Sequence, residues 1–428
     1  MIYGKHGRVL AIVLAGGRGE RLMPLTKYRA KPAVPFAAKY RIVDFALSNL
    51  VNSSIFSIYV LVQFKSQSLN EHIERGWQFG GALRDRDLFV TVAPAQMWSG
   101  EHWYRGTCDA VFQNLHLVTL YDADHVLIFA ADHIYKMDVE QMLDYHMAKG
   151  ADVTVAANVV PRAEARQFGC IHTDGSGRIV DFVEKPQDPP EVPGKPGFTY
   201  VSMGNYIFSR EALEEAVIDD AQDGSSSHDF GRDILPGLHK KCSVFAYDFS
   251  TNVLPGKDRP YWKDVGTIDA YWDAHMDLCK HDSAMTLYNP KWPIRTVSFS
   301  DPPTYSYPVG GRTCSIIGSL RAEGSRVLGA IVHSSVLSRN TLIHPGAIIE
   351  ESILGQDVEV GKNARLKKVI VDAHNRIPPD SVIGYDLEED KKRYHVDEES
   401  GVVVIGMPAM QLRKNVEIPF APPVIGDR

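Results

Sequence analysis

Short apolar runs alternate with longer segments of mixed polarity along the first two thirds of the chain. The runs at 9–14, 58–62, 88–92 and 125–130 read as strands, since continuous apolar stretches of that length suit a sheet covered on both faces. Helical spacing marks Arg41 to Val51, Ala110 to Tyr121 and Val139 to Lys149. In the last of these, Met142, Leu143, His146 and Met147 share one side, and Gly150 supplies a stop. Further β-rich runs follow at Ala151–Val160, Phe168–His172, Ile179–Glu184 and Val201–Phe208. This alternation predicts an α/β domain whose parallel or mixed sheet is flanked by helices.

Near residue 285 the pattern changes. Asn289-Pro290, Trp292-Pro293 and Pro302-Pro303 interrupt regular structure and predict an ordered connector. Beyond it, aliphatic residues recur every six positions at Val336, Leu342, Ile348, Leu354, Val360 and Leu366. A second register carries Ile331, Leu337, Ile343 and Ile349, then turns to Gly355 and Gly361. Neither a helix nor simple strand alternation accounts for both registers. Short strands turning every few residues, with aliphatics stacked inward, do, and they predict a parallel β-helix. The expected organisation is a catalytic domain over 1–284, a connector over 285–311, and a β-helix with a C-terminal tail over 312–428.

Composition supports more than one core. A chain of 428 residues exceeds the roughly 250 to 300 at which single cores stop growing. With 44% hydrophobic and 23% charged residues, global disorder is excluded. The net charge of -7 argues against broad nucleic-acid binding, though a local basic pocket is compatible with it. No run reads as a membrane span or a signal peptide. Cys108, Cys170, Cys242, Cys279 and Cys314 are too scattered for a disulfide framework or paired zinc motif, so reduced cysteines in a cytoplasmic protein are expected.

Candidate chemistry begins where the first strand ends. Gly16, Gly17 and Gly19 allow close backbone approach to an anion, while Arg18 and Arg21 add positive charge. A tight strand-to-helix turn has the same appearance, and Leu22 breaks the dinucleotide fingerprint. Lys31 can return toward phosphates held there, while Pro32 and Pro35 limit the path of its flanking backbone. Gln96 can read a base edge and Tyr104, followed by Gly106, can pack near a nucleotide; solvent exposure and local packing are their ordinary roles. Asp132 follows a strand, where open α/β sheets present ligands. Paired through space with Asp264, it can hold Mg2+; an N-cap or turn is the plainer role of either acid alone. The Gly169 backbone and Glu184 can read sugar hydroxyls, and Lys185 a sugar phosphate, although an exposed Glu-Lys pair is commonplace. Ser202 and Asp229 add polar contacts. The Ser225-Ser226-Ser227-His228-Asp229 run lacks a nucleophile elbow and is not a hydrolytic triad.

Taken together, Gly16–Leu22, Arg29–Pro35, Trp103–Ala110, Asp132-His133, Phe182–Pro186, Ser225–Asp233 and Tyr261–Thr267 resemble the glucose-1-phosphate adenylyltransferase family of sugar-nucleotide transferases. The resemblance covers nearly the whole chain. It implies a Rossmann-like nucleotidyltransferase domain with a mixed sheet, followed by a left-handed parallel β-helix serving regulation and oligomerisation. It further implies AMP transfer from ATP to alpha-D-glucose 1-phosphate for glycogen biosynthesis, with Mg2+ as cofactor. On this resemblance Arg21 and Lys31 assist the ATP phosphates, Asp132 and Asp264 hold the metal, and Lys185 positions the sugar phosphate. Gly16, Gly17, Gly19, Gln96, Tyr104 and Gly106 belong with ATP; Gly169, Glu184, Ser202 and Asp229 belong with the sugar.

A homotetramer with phosphorylated or nucleotide effectors is also implied, with Arg29, Arg41, Arg365, Lys367 and Lys368 as possible effector contacts. Tyr28 stands where some relatives carry a lysine, so the effector itself stays open. A related nucleotidyltransferase using another sugar 1-phosphate or nucleoside triphosphate is the alternative reading; noncatalytic and acyltransferase roles leave the phosphate and acid clusters without use.

Overall fold

The computed structural model describes residues 5–78, 87–256 and 258–409. They divide into two compact units, Met1–Ser300 and Asp301–Arg428. The division falls inside the expected connector, whose first half is packed into the first unit. Of the expected β-helix and C-terminal tail over 312–428, residues 410–428 lie outside the described residues.

The first unit is built on a nine-stranded mixed sheet. Val9–Leu14 runs parallel to both Ser57–Val62 and His125–Ala130, and Phe89–Pro94 extends the parallel half. Phe198–Ser209 pairs antiparallel with His125–Ala130 and carries the other half, including Gly169–Thr173 and Val153–Pro161. Leu10, Ile12, Val126 and Ile128 pack into one apolar cluster, Ala11, Val13, Leu127 and Phe129 into another. Alternate residues of each strand therefore feed cores on opposite faces, which is why these runs are apolar throughout.

The expected helices form with two differences. Val139–Lys149 starts on Asp138, whose side chain accepts from the Glu140 amide, and ends on Gly150 at φ 54°. Met142, Leu143 and His146 are buried, but Met147 faces solvent. The Ala110–Tyr121 prediction resolves into two helices, Thr107–Gln113 and Leu115–Tyr121. Asn114 makes the break: its side-chain amide donates to the Ala110 carbonyl and to the Tyr104 hydroxyl, each at 2.8 Å.

Helix Ile42–Asn52 explains how the proline-rich stretch is ordered. Asp44, Ser48 and Asn52 lie one helical turn apart on one face. Asp44 accepts from the Thr296 hydroxyl at 2.7 Å, Ser48 from the Arg295 amide at 2.8 Å, and Asn52 donates to the Pro293 carbonyl at 2.9 Å. Neighbouring Asn49 accepts from the Trp292 indole at 3.1 Å. A segment that cannot form secondary structure thus finds its backbone and side-chain partners on a helix.

The second unit is a left-handed β-helix with three sheets of parallel strands, one of them ending in the antiparallel edge strand His395–Val396. Paired residues Val332, Ile349, Leu366 and Ile383 stack on one face; Ile343, Val360 and Ile377 on the next; Leu337, Leu354 and Val371 on the third. These vertical neighbours are 17 residues apart, after a first coil of 16 from Val327 to Ile343, so in these coils one corner in three is a residue shorter than a strict six-residue period requires. The inward row therefore crosses from one predicted register to the other, running Leu337, Ile343, Ile349 and then Leu354, Val360, Leu366. Of the earlier positions in the first register, Leu342 and Ile348 are only partly buried, and Ile331 of the second is exposed. The glycines have a separate cause: a Cβ on Gly355 would lie 2.6 Å from the Ala373 amide nitrogen, and one on Gly361 2.5 Å from that of Pro379.

Candidate active site

The parallel strands deliver their carboxyl ends to one edge of the sheet, where open α/β sheets bind ligands. After Leu14 the chain enters the glycine loop. Gly19 adopts φ 65°, and a Cβ there would sit 2.9 Å from the Lys31 Cβ, so this glycine lets the loop lie against the lysine stem. Gly16 lies against the Gln63 side chain.

Asp132 follows the His125–Ala130 strand directly. Asp264 arrives from far along the chain by a ladder: Tyr261–Asp264 pairs antiparallel with His133–Lys136, with Asp264 opposite His133. Between the two carboxylates lies Lys31, its Nζ 3.1 Å from Asp132 Oδ2 and 3.3 Å from Asp264 Oδ1. Lys31 is buried, whereas Asp132 exposes about half of its side chain and Asp264 about a third. Burial works against the lysine charge, but the attraction of Asp132 and Asp264 outweighs it and raises the Lys31 pKa. Desolvation likewise works against the Asp132 charge, and Lys31 with His133 overcomes it, holding the carboxyl well below the usual range. Lys31 and Asp132 are therefore both charged at neutral pH.

Two adjoining cavities meet at this cluster. One, of about 620 Å³, is lined by Gly16, Gly17, Arg18, Gly19, Arg21, Lys31, Tyr104 and Gly106. The other, of about 310 Å³, is lined by Gly169, Glu184, Lys185, Ser202, Trp262 and Asp264. Asp132, Thr107 and Asp229 border both. Residues spread over the whole first unit thus converge on one cleft, with cations along the first cavity and Lys185 on the second.

The individual side chains differ in how free they are. Arg21 and Arg18 are exposed along the loop; Arg18 stands 3.7 Å from Glu20, and the Arg21 guanidinium lies beside Gly266. Lys185 pairs with Glu184 at 3.3 Å and holds a left-handed φ of 50°. Gly169 is required by space, since its Cβ would come 2.6 Å from the Phe182 ring and 2.8 Å from Glu184 Oε2. Ser202 accepts from the Gly204 amide at 3.2 Å. Asp229 is largely engaged within the protein: it caps the Phe230–Ile234 turn through the Gly231 and Arg232 amides and accepts from Thr107 at 3.0 Å. Its neighbour His228 is buried against Asp220 at 2.7 Å, so its Nδ1 is engaged there and not with a serine of the serine-histidine-aspartate run. Gly106 permits the close crossing of that run, for a Cβ there would meet the Ser227 and His228 carbonyls.

Gln96 is the predicted nucleotide residue that the cleft does not include; it is exposed and absent from both cavity walls. Gln63 takes a place there instead, accepting from the Tyr104 amide at 2.9 Å. The signal was available, because Gln63 follows the carboxyl end of a core strand just as Asp132 does. Thr107, Tyr206 and Trp262 are further cavity residues not singled out from the sequence. The predicted effector residues are divided between the two units. Arg29 and Arg41 lie in the first unit, where burial and then the nearby Arg29 charge draw the Arg41 guanidinium down to about 10. Arg365, Lys367 and Lys368 lie on the β-helix, where Arg365 covers the Tyr385 ring and Lys368 donates to the Ser400 carbonyl.

A mixed sheet, a glycine-arginine loop and an acid-lysine cluster joining two cavities define a nucleotidyltransferase. The nucleotidyl transferase family model matches residues 10–281, and the model described as GlmU-like, C-terminal hexapeptide matches 302–405. The chain is 50% identical to the glucose-1-phosphate adenylyltransferase of Deinococcus deserti over 93% of its own length and 98% of the relative's. It is 49% identical to glucose-1-phosphate adenylyltransferase 1 of Vibrio parahaemolyticus, over 93% and 97%. The chain belongs to the glucose-1-phosphate adenylyltransferase family. Among the described residues no helix is long and apolar enough to cross a membrane.

Proposed function

We propose that this chain transfers AMP from ATP to alpha-D-glucose 1-phosphate, releasing pyrophosphate and forming ADP-glucose. The observation that carries this reading is the pair of cavities joined at Asp132, one faced by the phosphate loop and the other by Glu184 and Lys185. A sugar-phosphate oxygen attacks the α-phosphorus, a new P–O bond forms, and the bond to the β-phosphate bridging oxygen breaks. Both reactants are already oxyanions, so the residues need only align them and balance charge. The loop amides with Arg21 hold the triphosphate, and Lys31 lies within reach of its α-phosphate side. Lys185 neutralises the sugar phosphate, while Glu184 and Ser202 orient the sugar.

Asp132 and Asp264 fit a Mg2+ site in their chemistry: two opposed carboxylates, both partly open to the cleft, leave further oxygen positions to phosphates and water. When bound there, Mg2+ supplies charge neutralisation to the triphosphate. We assign glycogen synthesis, a cytoplasmic location, a homotetrameric assembly and control by phosphorylated or nucleotide effectors to the same reading. Arg29, Arg41, Arg365, Lys367 and Lys368 are its candidate effector contacts.

The deciding experiment incubates the protein with ATP, UTP, GTP or TTP and several hexose 1-phosphates, following pyrophosphate release and product mass. ATP with glucose 1-phosphate is expected to dominate. A dominant UDP-sugar product would overturn the substrate assignment.

A further inference from the structure

The ammonium of Lys31 stands where, on the reading above, a divalent cation stands. We propose that Lys31 is the internal counter-ion of the two acids whenever nucleotide is not bound: it keeps free divalent metal off Asp132 and Asp264, and passes to the incoming triphosphate so that metal enters only with nucleotide. The inference rests on the two-carboxylate metal assignment.

Three observations carry it. Lys31 Nζ is within hydrogen-bond distance of both carboxylates at once, 3.1 and 3.3 Å, so neither acid is left uncompensated. The lysine reaches them from the protein interior with its side chain only 7% exposed, while the acids face the cleft. The lysine stem also lies against Gly19 of the phosphate loop, where a Cβ added to the glycine would come 2.9 Å from the Lys31 Cβ. A triphosphate seated on the loop therefore presents oxygens beside the ammonium that the carboxylates already hold.

Charge balance gives the order of events. Two carboxylates and one ammonium leave a single net negative charge, to which a second, divalent cation is poorly attracted while the first stays in place. Metal and ammonium at the same two acids repel each other across a few ångströms. A triphosphate reverses this, because its several negative charges accommodate both cations. The Arg21 guanidinium and the Asp264 carboxylate both border Gly266, so Arg21 adds to the repulsion of a free cation. His133 Nδ1 lies 3.4 Å from Asp132 Oδ1, whereas Lys31 holds the other oxygen, Oδ2.

The test is an equilibrium titration of nucleotide-free protein with Mn2+, reading unbound metal by electron paramagnetic resonance. Wild type is expected to bind free Mn2+ weakly. Lys31→Gln is expected to bind it at least about tenfold more tightly, since the competing cation is gone. Equal or weaker binding by Lys31→Gln would overturn the proposal. Should that variant fail to fold, wild-type crystals soaked in Mn2+ with and without a nonhydrolysable ATP analogue decide the matter. Expected are Lys31 on both acids without metal in the empty cleft, and Lys31 on phosphate with Mn2+ on the acids in the complex. Mn2+ bound to both acids without nucleotide, or Lys31 still on both with nucleotide, overturns this proposal alone. Mn2+ bound away from Asp132 and Asp264 in the complex overturns the metal assignment as well.

Discussion

Asp264 lies opposite His133 in an antiparallel ladder whose other end pairs Tyr261 with Lys136. Because successive residues of a strand point to opposite faces, slipping this ladder by one position would turn the Asp264 carboxylate away from Asp132. The far end is anchored where it matters: buried Lys136 pairs with Asp258 at 2.8 Å, and Asn289 donates to the same carboxylate at 2.9 Å. Register, rather than proximity in sequence, is what places the second acid.

Replacing Asp132 by Asn keeps the size of the side chain while removing a charge that borders both cavities. Folding is expected to persist, since the side chain is half open to solvent. Turnover should fall by about a hundredfold or more, as for other losses of preorganised charge at a reacting group. Steady-state kinetics across Mg2+ concentrations provide the check; near-normal turnover at limiting Mg2+ would contradict the assigned role.

Gly19→Ala tests the loop. The residue has φ 65°, and an added Cβ would lie 2.9 Å from Lys31 Cβ and 3.0 Å from Thr26 Cγ2. Backbone strain of about 1–2 kcal/mol is expected, together with displacement of Lys31. ATP affinity and turnover should therefore drop more than thermal stability. A variant with wild-type KM for ATP and unchanged kcat would refute the close loop-lysine contact.

Much of this arrangement is legible in the sequence because strand ends announce themselves. The glycine loop and Asp132 each follow an apolar run, so their place at the sheet edge is readable without coordinates. Gln63 obeys the same rule, yet a lone glutamine carries no pattern to distinguish it from Gln96. The β-helix is legible as repeats, but its 17-residue coil is not, because adjacent pairs such as Val336-Leu337, Leu342-Ile343 and Ile348-Ile349 are aliphatic in both registers. Only the ladder shows which of each pair faces inward. The docking of 285–300 depends on polar side chains of a buried helix, Asp44, Ser48 and Asn49, which hydropathy alone reads as breaks in an apolar face.

Leu354 is fully buried in the β-helix core and stacks between Leu337 and Val371. Leu354→Ala should cost about 2–5 kcal/mol, and Leu354→Asp more, since its charge would have no partner. Calorimetry on both variants, with circular dichroism for residual β structure, gives the answer. An unchanged melting profile for Leu354→Asp would be incompatible with the stacked core.

Acid should loosen the first unit through His275. The ring is buried, and its two nitrogens have fixed roles: Nε2 accepts from the Ala37 amide at 3.1 Å, so Nδ1 carries the proton and donates to the Tyr271 carbonyl at 2.8 Å. Protonation would set an N–H against the Ala37 N–H. Burial accordingly draws the His275 pKa from 6.5 to about 4, against a small opposing effect of the Tyr271 bond. His146, buried with its Nδ1 at 2.9 Å from the Thr154 hydroxyl, is drawn to about 4 by burial and by His125. For a histidine whose folded pKa is depressed, the unfolded chain binds the proton first. Stability is therefore complete above about pH 6.5 and declines as pH falls toward 4, by up to about 3 kcal/mol for each such residue. Thermal midpoints measured from pH 7.5 down to 4.5 should fall, and His275→Gln, destabilised at pH 7.5, should show a shallower decline. An equally steep decline in that variant would remove His275 as a cause.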